Sequence, residues 1–329
     1  MLAFVIMQYK IWGARGSLPK PETPAERKQA FRALLEKFVA MELGPGQVDQ
    51  FLNSLPHRDA EGYGGHTSCH EVRGDGKSII IDGGSGIKEL GLEMMQGPCS
   101  QGKGEVHILL THFHWDHLLG LPFFVPLFVP GNKIHFYAVQ PELEDVVRQL
   151  FKKPFFPVNF EWLGSTIEFH NLQGRKPHNI NGFEIIPYML DHPDACWGYR
   201  VNHGGRSVAH CVDTEGTRIS QEEMGEDLPM YQNLDLMVFD AQYTLFEVVD
   251  KVNWGHAVAG LGLDIAMREK IKRVLFVHHD PYASDQKIRQ AEEQTRDYYN
   301  HRLAEAKRRN EPVVNVQWEF GREGSTVEV

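Results

Sequence analysis

The stretch Thr111-His112-Phe113-His114-Trp115-Asp116-His117 packs three imidazoles and a carboxylate into six positions, directly after an apolar run. Residues 106–111 read as a buried strand, so the cluster occupies the turn leaving that strand's carboxyl end. Loops of this kind commonly carry chemistry. Imidazole nitrogen and carboxylate oxygen are ligands for zinc and related transition ions, and metal-binding side chains rarely crowd this densely without such a role.

Six positions do not complete two coordination shells, and further candidates stand at other predicted strand ends. His192 follows a strand over 183–190, Asp213 one over 207–212 and His278 one over 274–277. On this reading one ion takes His112, His114, His192 and Asp213. The other takes Asp116, His117, Asp213 and His278, the two oxygens of Asp213 being shared. A strand-end histidine alone is more often a hydrogen-bonded structural residue, so the later ligands take their weight from the dense cluster. Asp82, after a strand over 77–81, can hydrogen-bond a metal-binding imidazole or serve only as a turn carboxylate beside Gly83 and Gly84.

The 329 residues carry 42% hydrophobic side chains and a formal net charge of −10. That balance argues against stable nucleic-acid binding, which relies on clustered Lys and Arg. No apolar run reaches membrane-spanning length, and residues 1–7 lack the basic start and cleavage site of a secretory leader. Cys69, Cys99, Cys196 and Cys211 form no C-x-x-C spacing, so neither a disulfide framework nor a zinc knuckle is expected, and a cytoplasmic setting is the default. An anionic substrate then needs a local positive centre, which bound metal supplies.

Strands are expected over 3–12, 77–81, 106–111, 133–138, 183–190, 207–212, 236–239 and 274–277, and helices over 258–272 and 284–309, with no internal repeat. This alternation implies one α/β domain spanning 1–329, built of layered sheets flanked by helices. A helical insertion at about 19–63, with helices over 25–41 and 46–55, reads as decoration or a homodimer contact.

The cluster resembles the H-x-H-x-D-H motif of the metallo-β-lactamase superfamily, and the likeness extends from Trp12-Gly13-Ala14-Arg15-Gly16-Ser17 to His278-His279-Asp280-Pro281. The resemblance implies an αββα sandwich of two mixed sheets with a dinuclear metal site at one edge, loaded with zinc first and manganese or iron as alternatives. Asp191-His192-Pro193, Val212-Asp213-Thr214-Glu215, Asp240-Ala241-Gln242-Tyr243-Thr244 and Asn253-Trp254-Gly255-His256-Ala257 are similar to the phosphodiesterase branch, which includes ribonuclease Z and cyclic-nucleotide phosphodiesterases. Two positions depart from the pattern: His66 stands where relatives usually carry Asn, and Ala257 where they carry Ser or Thr. The pattern also favours His278 over His279 as ligand, leaving His279 as a supporting or substrate-facing residue.

What the resemblance implies for catalysis is a metal-bridging hydroxide as nucleophile, oriented by Asp116, with His256 protonating the leaving oxygen and Asp240 holding His256 in the useful tautomer. His66, Thr67, Arg15 and His279 are candidate substrate contacts, and Tyr188, Trp197 and Tyr199 can stack on a base, although core packing is commoner for aromatics near strands. The basic, glycine-rich arm expected of ribonuclease Z is not found. Lys152-Lys153-Pro154-Phe155-Phe156-Pro157 reads instead as a flap over a small-molecule pocket. The expected substrate is therefore a small phosphodiester, foremost a 3′,5′-cyclic nucleotide. Ribonuclease Z-like cleavage of RNA, lactone or thioester hydrolysis, and non-catalytic ligand binding stay open as alternatives.

Overall fold

Ile79, Ile80 and Ile81 are consecutive and all fully buried: the first and third face an interior shared by two sheets, and the second packs outward under helices. A strand covered on both faces needs such an unbroken apolar run. The computed structural model describes residues 6–329. Its first sheet contains β1 (Gln8–Gly13), β2 (Cys69–Gly74), β3 (Lys77–Ile81), β4 (Glu105–Leu109), β5 (Lys133–Ala138) and β6 (Thr166–Asn171). The second contains β7 (His178–Ile180), β8 (Phe183–Met189), β9 (Trp197–His203), β10 (Arg206–Cys211), β11 (Leu236–Asp240), β12 (Arg273–Val277) and β13 (Gln317–Phe320). A last strand, β14 (Thr326–Glu328), returns to the first sheet beside β1.

The helices, in chain order, are α1 (Pro24–Ala40), α2 (Val48–Ser54), α3 (His57–Ala60), α4 (Ile87–Met94), α5 (Leu143–Leu150), α6 (Gln221–Met224), α7 (Ala259–Glu269) and α8 (Asp285–Arg308). Ile87 and Leu90 of α4 and Leu143 and Val147 of α5 cover the first sheet. Leu263 and Ala266 of α7 and Ile288 and Tyr299 of α8 cover the second. Between the sheets lie Tyr9, Ile11, Val72 and Leu109 from one side and Ile185, Val201, Val208, Val238 and Val277 from the other. The result is the expected αββα sandwich of two mixed sheets.

Strand direction positions the site. β3, β4, β5 and β6 run parallel, as do β10, β11, β12 and β13. The loops after β3, β4, β8, β10 and β12 carry Asp82, residues 112–117, His192, Asp213 and His278, Asp240 is the last residue of β11, and all gather at one rim of the sandwich. Ligand sites of open α/β sheets form beyond carboxyl strand ends for this reason.

The first strand begins at Gln8; the part expected before residue 6 lies outside the described residues. The insertion holds three helices rather than two, since α3 adds a short turn. Helix α1 is closed by a Thr23–Glu26 capping box and buries none of its residues. Strand β2 escaped the apolar-run criterion because His70 and Glu71, polar by type, are buried in it. Among the described residues no helix is long and apolar enough to cross a membrane.

Candidate metal centre

Asp213, at the end of β10, is 99% buried and lies between two groups of histidines. Its Oδ1 is 3.0 Å from His278 Nε2 and 3.3 Å from His117 Nε2. Its Oδ2 is 3.7 Å from His112 Nε2. Asp116 Oδ2 closes the first group, 3.1 Å from His278 Nε2 and 3.3 Å from His117 Nε2. A tetrahedron with bonds of 2.0–2.1 Å has edges of roughly 3.3–3.4 Å, so these four atoms already outline one. The second group, His112, His114, His192 and Asp213, also offers one ligand atom from each residue within 4.8 Å of the others. The fold thus brings together both sets reached from sequence, and it also sets Asp240 and His256 beside Asp213 and His278 in an overlapping group.

Four of the five imidazoles, all but His278, are turned by a contact on the other nitrogen. His117 Nδ1 donates to Asp82 Oδ2 at 2.7 Å. His112 Nδ1 lies 3.1 Å from Thr111 Oγ1, whose hydroxyl in turn donates to Asp82 at 3.0 Å. These bonds leave both Nε2 atoms directed inward, buried and with no hydrogen-bond partner. His192 Nδ1 faces the Asp194 carbonyl at 3.0 Å, and His114 Nε2 donates to the Asp194 carboxylate at 2.8 Å. Such supporting bonds fix the tautomer and orientation of metal-binding histidines. Orphaned buried nitrogens converging on a shared carboxylate are costly unless a cation completes them, so these residues fit two divalent ions.

Electrostatics point the same way. Burial alone would raise the Asp213 carboxyl, yet His278 and His117 outweigh it and hold the group well below the usual carboxylate range. Burial opposes charge on His117, but Asp116, Asp213 and Asp82 override it and drive its pKa well above the ordinary imidazole value. The pocket attracts positive charge strongly enough to pull a proton onto a buried imidazole, and a metal ion would take that proton's place.

Backbone shape brings the loops close. Asp82 and His278 adopt φ of +64° and +67°, a left-handed conformation that side-chain-bearing residues rarely take and that clusters at functional sites. Gly255 has φ +85°, and a Cβ there would lie 2.5 Å from His192 Nε2. Only glycine lets the loop before His256 pass so near.

The acid and histidine expected to act as a pair are joined: His256 Nδ1 donates to Asp240 Oδ2 at 2.9 Å. Asp240 Oδ1 also accepts from the backbone N–H groups of Gln242 and Ala257. His256 Nδ1 is 3.8 Å from Asp213 Oδ2, which places the ring against the metal-binding rim. Burial works against its charge, but Asp240 outweighs it, with Asp213 and Asp116 behind, and the pKa is pushed up to about 9.

Several expected substrate contacts prove structural. His279 is buried, donates from Nε2 to the Gly321 carbonyl at 2.7 Å, and stacks on Phe320. Burial, then the Arg15 charge, lowers it to about 3, so it is a neutral packing residue. Arg15 is buried too, tied to the carbonyls of Gly64, Asp280 and Ala283 and to Asp285. Thr67 is fully buried, and its Oγ1 accepts from Ser85 N at 2.9 Å. His66 remains partly exposed, with Nδ1 3.0 Å from Ser85 Oγ. Tyr188, Trp197 and Tyr199 are buried, as core packing requires, and Phe155 of the flap is exposed. Two contributors were missed: Asp194, which no motif marked, and Ser17, whose backbone N–H donates to Asp116 Oδ2 at 2.7 Å.

Comparison with known proteins agrees with this geometry. Residues 78–279 match the model of the β-lactamase superfamily domain. Over 246 residues the chain is 24% identical to a ribonuclease Z of Metallosphaera sedula, covering 63% of this chain and 80% of that protein. Among solved structures it is similar to the metallo-β-lactamase fold protein YhfI from Bacillus subtilis, with TM-score 0.62, 16% identity and coverage of 99% and 100%. It is also similar to a diphosphatase from the PhnP family, with TM-score 0.58, 20% identity and coverage of 98% of both chains. With the matched domain spanning more than half of the chain and the sandwich and rim cluster in place, this protein belongs to the β-lactamase superfamily domain family.

Proposed function

We propose that the chain is a dinuclear-metal phosphodiesterase acting on a small phosphodiester, foremost a 3′,5′-cyclic nucleotide. The observation that carries this reading is the Asp240–His256 pair, 2.9 Å apart and set against the bridging carboxylate Asp213. Hydrolysis of a lactone or thioester needs the same metals but has less use for a charged imidazole beside them. A phosphodiester releases a basic alkoxide, and that oxygen needs a proton.

His112, His114, His192 and Asp213 would hold one ion and Asp116, His117, Asp213 and His278 the other, zinc being the best match to this donor set. When bound, two such ions lower the pKa of water to yield a nucleophile and neutralise charge on the phosphoryl oxygens. Asp116 orients the attacking water. Burial raises its carboxyl, but His117 and His278 hold it well below the ordinary range, so it acts as a hydrogen-bond acceptor more than as a proton reservoir. His256, anchored through Nδ1, keeps Nε2 for the leaving oxygen and gives it the proton. Asp240 favours the charged imidazole and fixes its tautomer.

Four cysteines, all buried and unpaired, support a reducing, cytoplasmic setting. Phe31, Leu35 and Val39 form an exposed apolar stripe along α1, which supports a role for the insertion in a homodimer. The relatives named ribonuclease Z favour a second reading, RNA endonuclease activity. The test is a substrate panel offered to zinc- or manganese-loaded protein: purine and pyrimidine cyclic nucleotides, bis(p-nitrophenyl) phosphate, precursor transfer RNA and a lactone. Turnover of cyclic nucleotides is expected. Cleavage of the RNA alone would select the second reading, and turnover of the lactone alone would reject both.

A further inference from the structure

The first sheet carries another concentration of imidazoles, on strands rather than on loops. Sheet register sets His107 of β4 beside His135 of β5, His135 beside Glu168 of β6, and Tyr137 of β5 beside His170 of β6. Period-two alternation then puts these side chains on one face, together with Glu105.

Three of their atoms converge. His135 Nδ1 is 3.2 Å from His170 Nε2 and 3.4 Å from Glu168 Oε2, and His170 Nε2 is 3.7 Å from the same oxygen. The triangle matches one face of a tetrahedron with 2.0–2.1 Å bonds, whose edges are roughly 3.3–3.4 Å. It also resembles in size the 3.0–3.3 Å edges of the Asp116, His117, Asp213 and His278 set. A hydrogen bond between the two imidazoles uses one contact of the three. It gives no reason for the carboxylate oxygen to lie near both acceptor-capable nitrogens.

The surroundings support ligation. His135 is 92% buried, and its Nε2 has no hydrogen-bond partner although Glu105 Oε1 lies 3.2 Å away on an exposed side chain. With Nδ1 on a cation the ring proton resides on Nε2, next to that carboxylate, which is the support metal-bound histidines usually have. His107 stacks on His135 with centroids 4.7 Å apart and 8° between planes, and its own Nδ1 meets Tyr137 Oη at 3.0 Å.

We propose that His135, Glu168 and His170 form a separate site for one divalent transition ion of the zinc class, with its fourth vertex open to solvent. Two imidazoles and a carboxylate suit zinc, nickel or copper and do not suit calcium or magnesium. The ion would clip β6, the edge strand, to β5, stiffening a sheet edge that otherwise offers unpaired backbone groups.

The test is metal counting on whole protein. Chelator-stripped wild type, His170→Ala and Glu168→Gln are dialysed to equilibrium against buffered zinc and analysed by plasma mass spectrometry. Both substituted side chains are partly exposed, so folding is preserved. Each variant should hold one equivalent less than wild type while phosphodiester turnover is unchanged. Copper-loaded wild type should show, beside any signal of the rim centre, a further nitrogen-coordinated paramagnetic resonance component that His170→Ala loses. A zinc count equal to wild type in either variant overturns the proposal, whatever the occupancy of the rim centre.

Discussion

Replacing His256 by alanine separates its chemistry from its surroundings. Asp240 pushes the imidazole's pKa up to about 9, which favours its charged form at pH 7, so the substitution removes a positioned acid. Positioned proton transfer contributes about 10²–10⁴-fold, or roughly 3–5 kcal/mol of barrier. A fall of that size is expected in kcat for a cyclic nucleotide, whose leaving group is a basic alkoxide. Bis(p-nitrophenyl) phosphate releases a nitrophenolate that is stable near neutral pH and needs little protonation, so its hydrolysis should fall much less. His256 is outside both proposed coordination sets, and zinc per chain should stay near wild type. Equal losses on the two substrates, or unchanged turnover of both, would refute the reasoning. Loss of metal with loss of activity would make His256 a ligand instead.

Further outcomes follow from neighbouring contacts. The acid form of His256 is required, so activity should decline as pH rises through its pKa; Asp240→Asn removes the main raising influence, burial then dominates, and the alkaline limb of kcat/KM should move to lower pH. Cations at the rim lower that limb in both proteins without changing their order. Asp82→Ala strips His117 Nδ1 and the Thr111 hydroxyl of their buried partner, and zinc affinity measured by competition with a chromogenic chelator should drop about 10–100-fold. Gly16→Ala would set a Cβ 2.3 Å from His278 Nδ1 and from Gln242 Oε1, so thermal unfolding should show a loss of about 1–3 kcal/mol, with zinc content reduced; a wild-type melting curve would disprove the close approach.

Much of the centre was legible before folding because it is built at strand ends. Apolar runs announce β3, β4, β10 and β12, and the polar residue ending each run marks a rim position. His112, His117, His192 and Asp213 could therefore be grouped by their place at strand ends, and His278 is preferred to its neighbour His279 through the resemblance to the superfamily pattern. Asp194 could not: it lies on the loop between β8 and β9 without periodic signal, and only the fold sets it beside His114 and His192. Arg15, Thr67 and His279 show the opposite failure. Their motif positions suggested substrate contact, yet each is turned inward to satisfy backbone or neighbouring polar groups.

The order of residues along this chain determines which donors exist, that they follow apolar strands, and that a carboxylate with two usable oxygens stands among histidines. Those are local properties, carried by side-chain type and strand period. Tertiary structure alone decides that Asp213 Oδ1 faces His117 and His278 while Oδ2 faces His112, that His256 leans on Asp240, and that His135, Glu168 and His170 meet on neighbouring strands. Period two tells which face a side chain takes, but the partner across the ladder depends on register, and register is set by the packing of the entire sandwich.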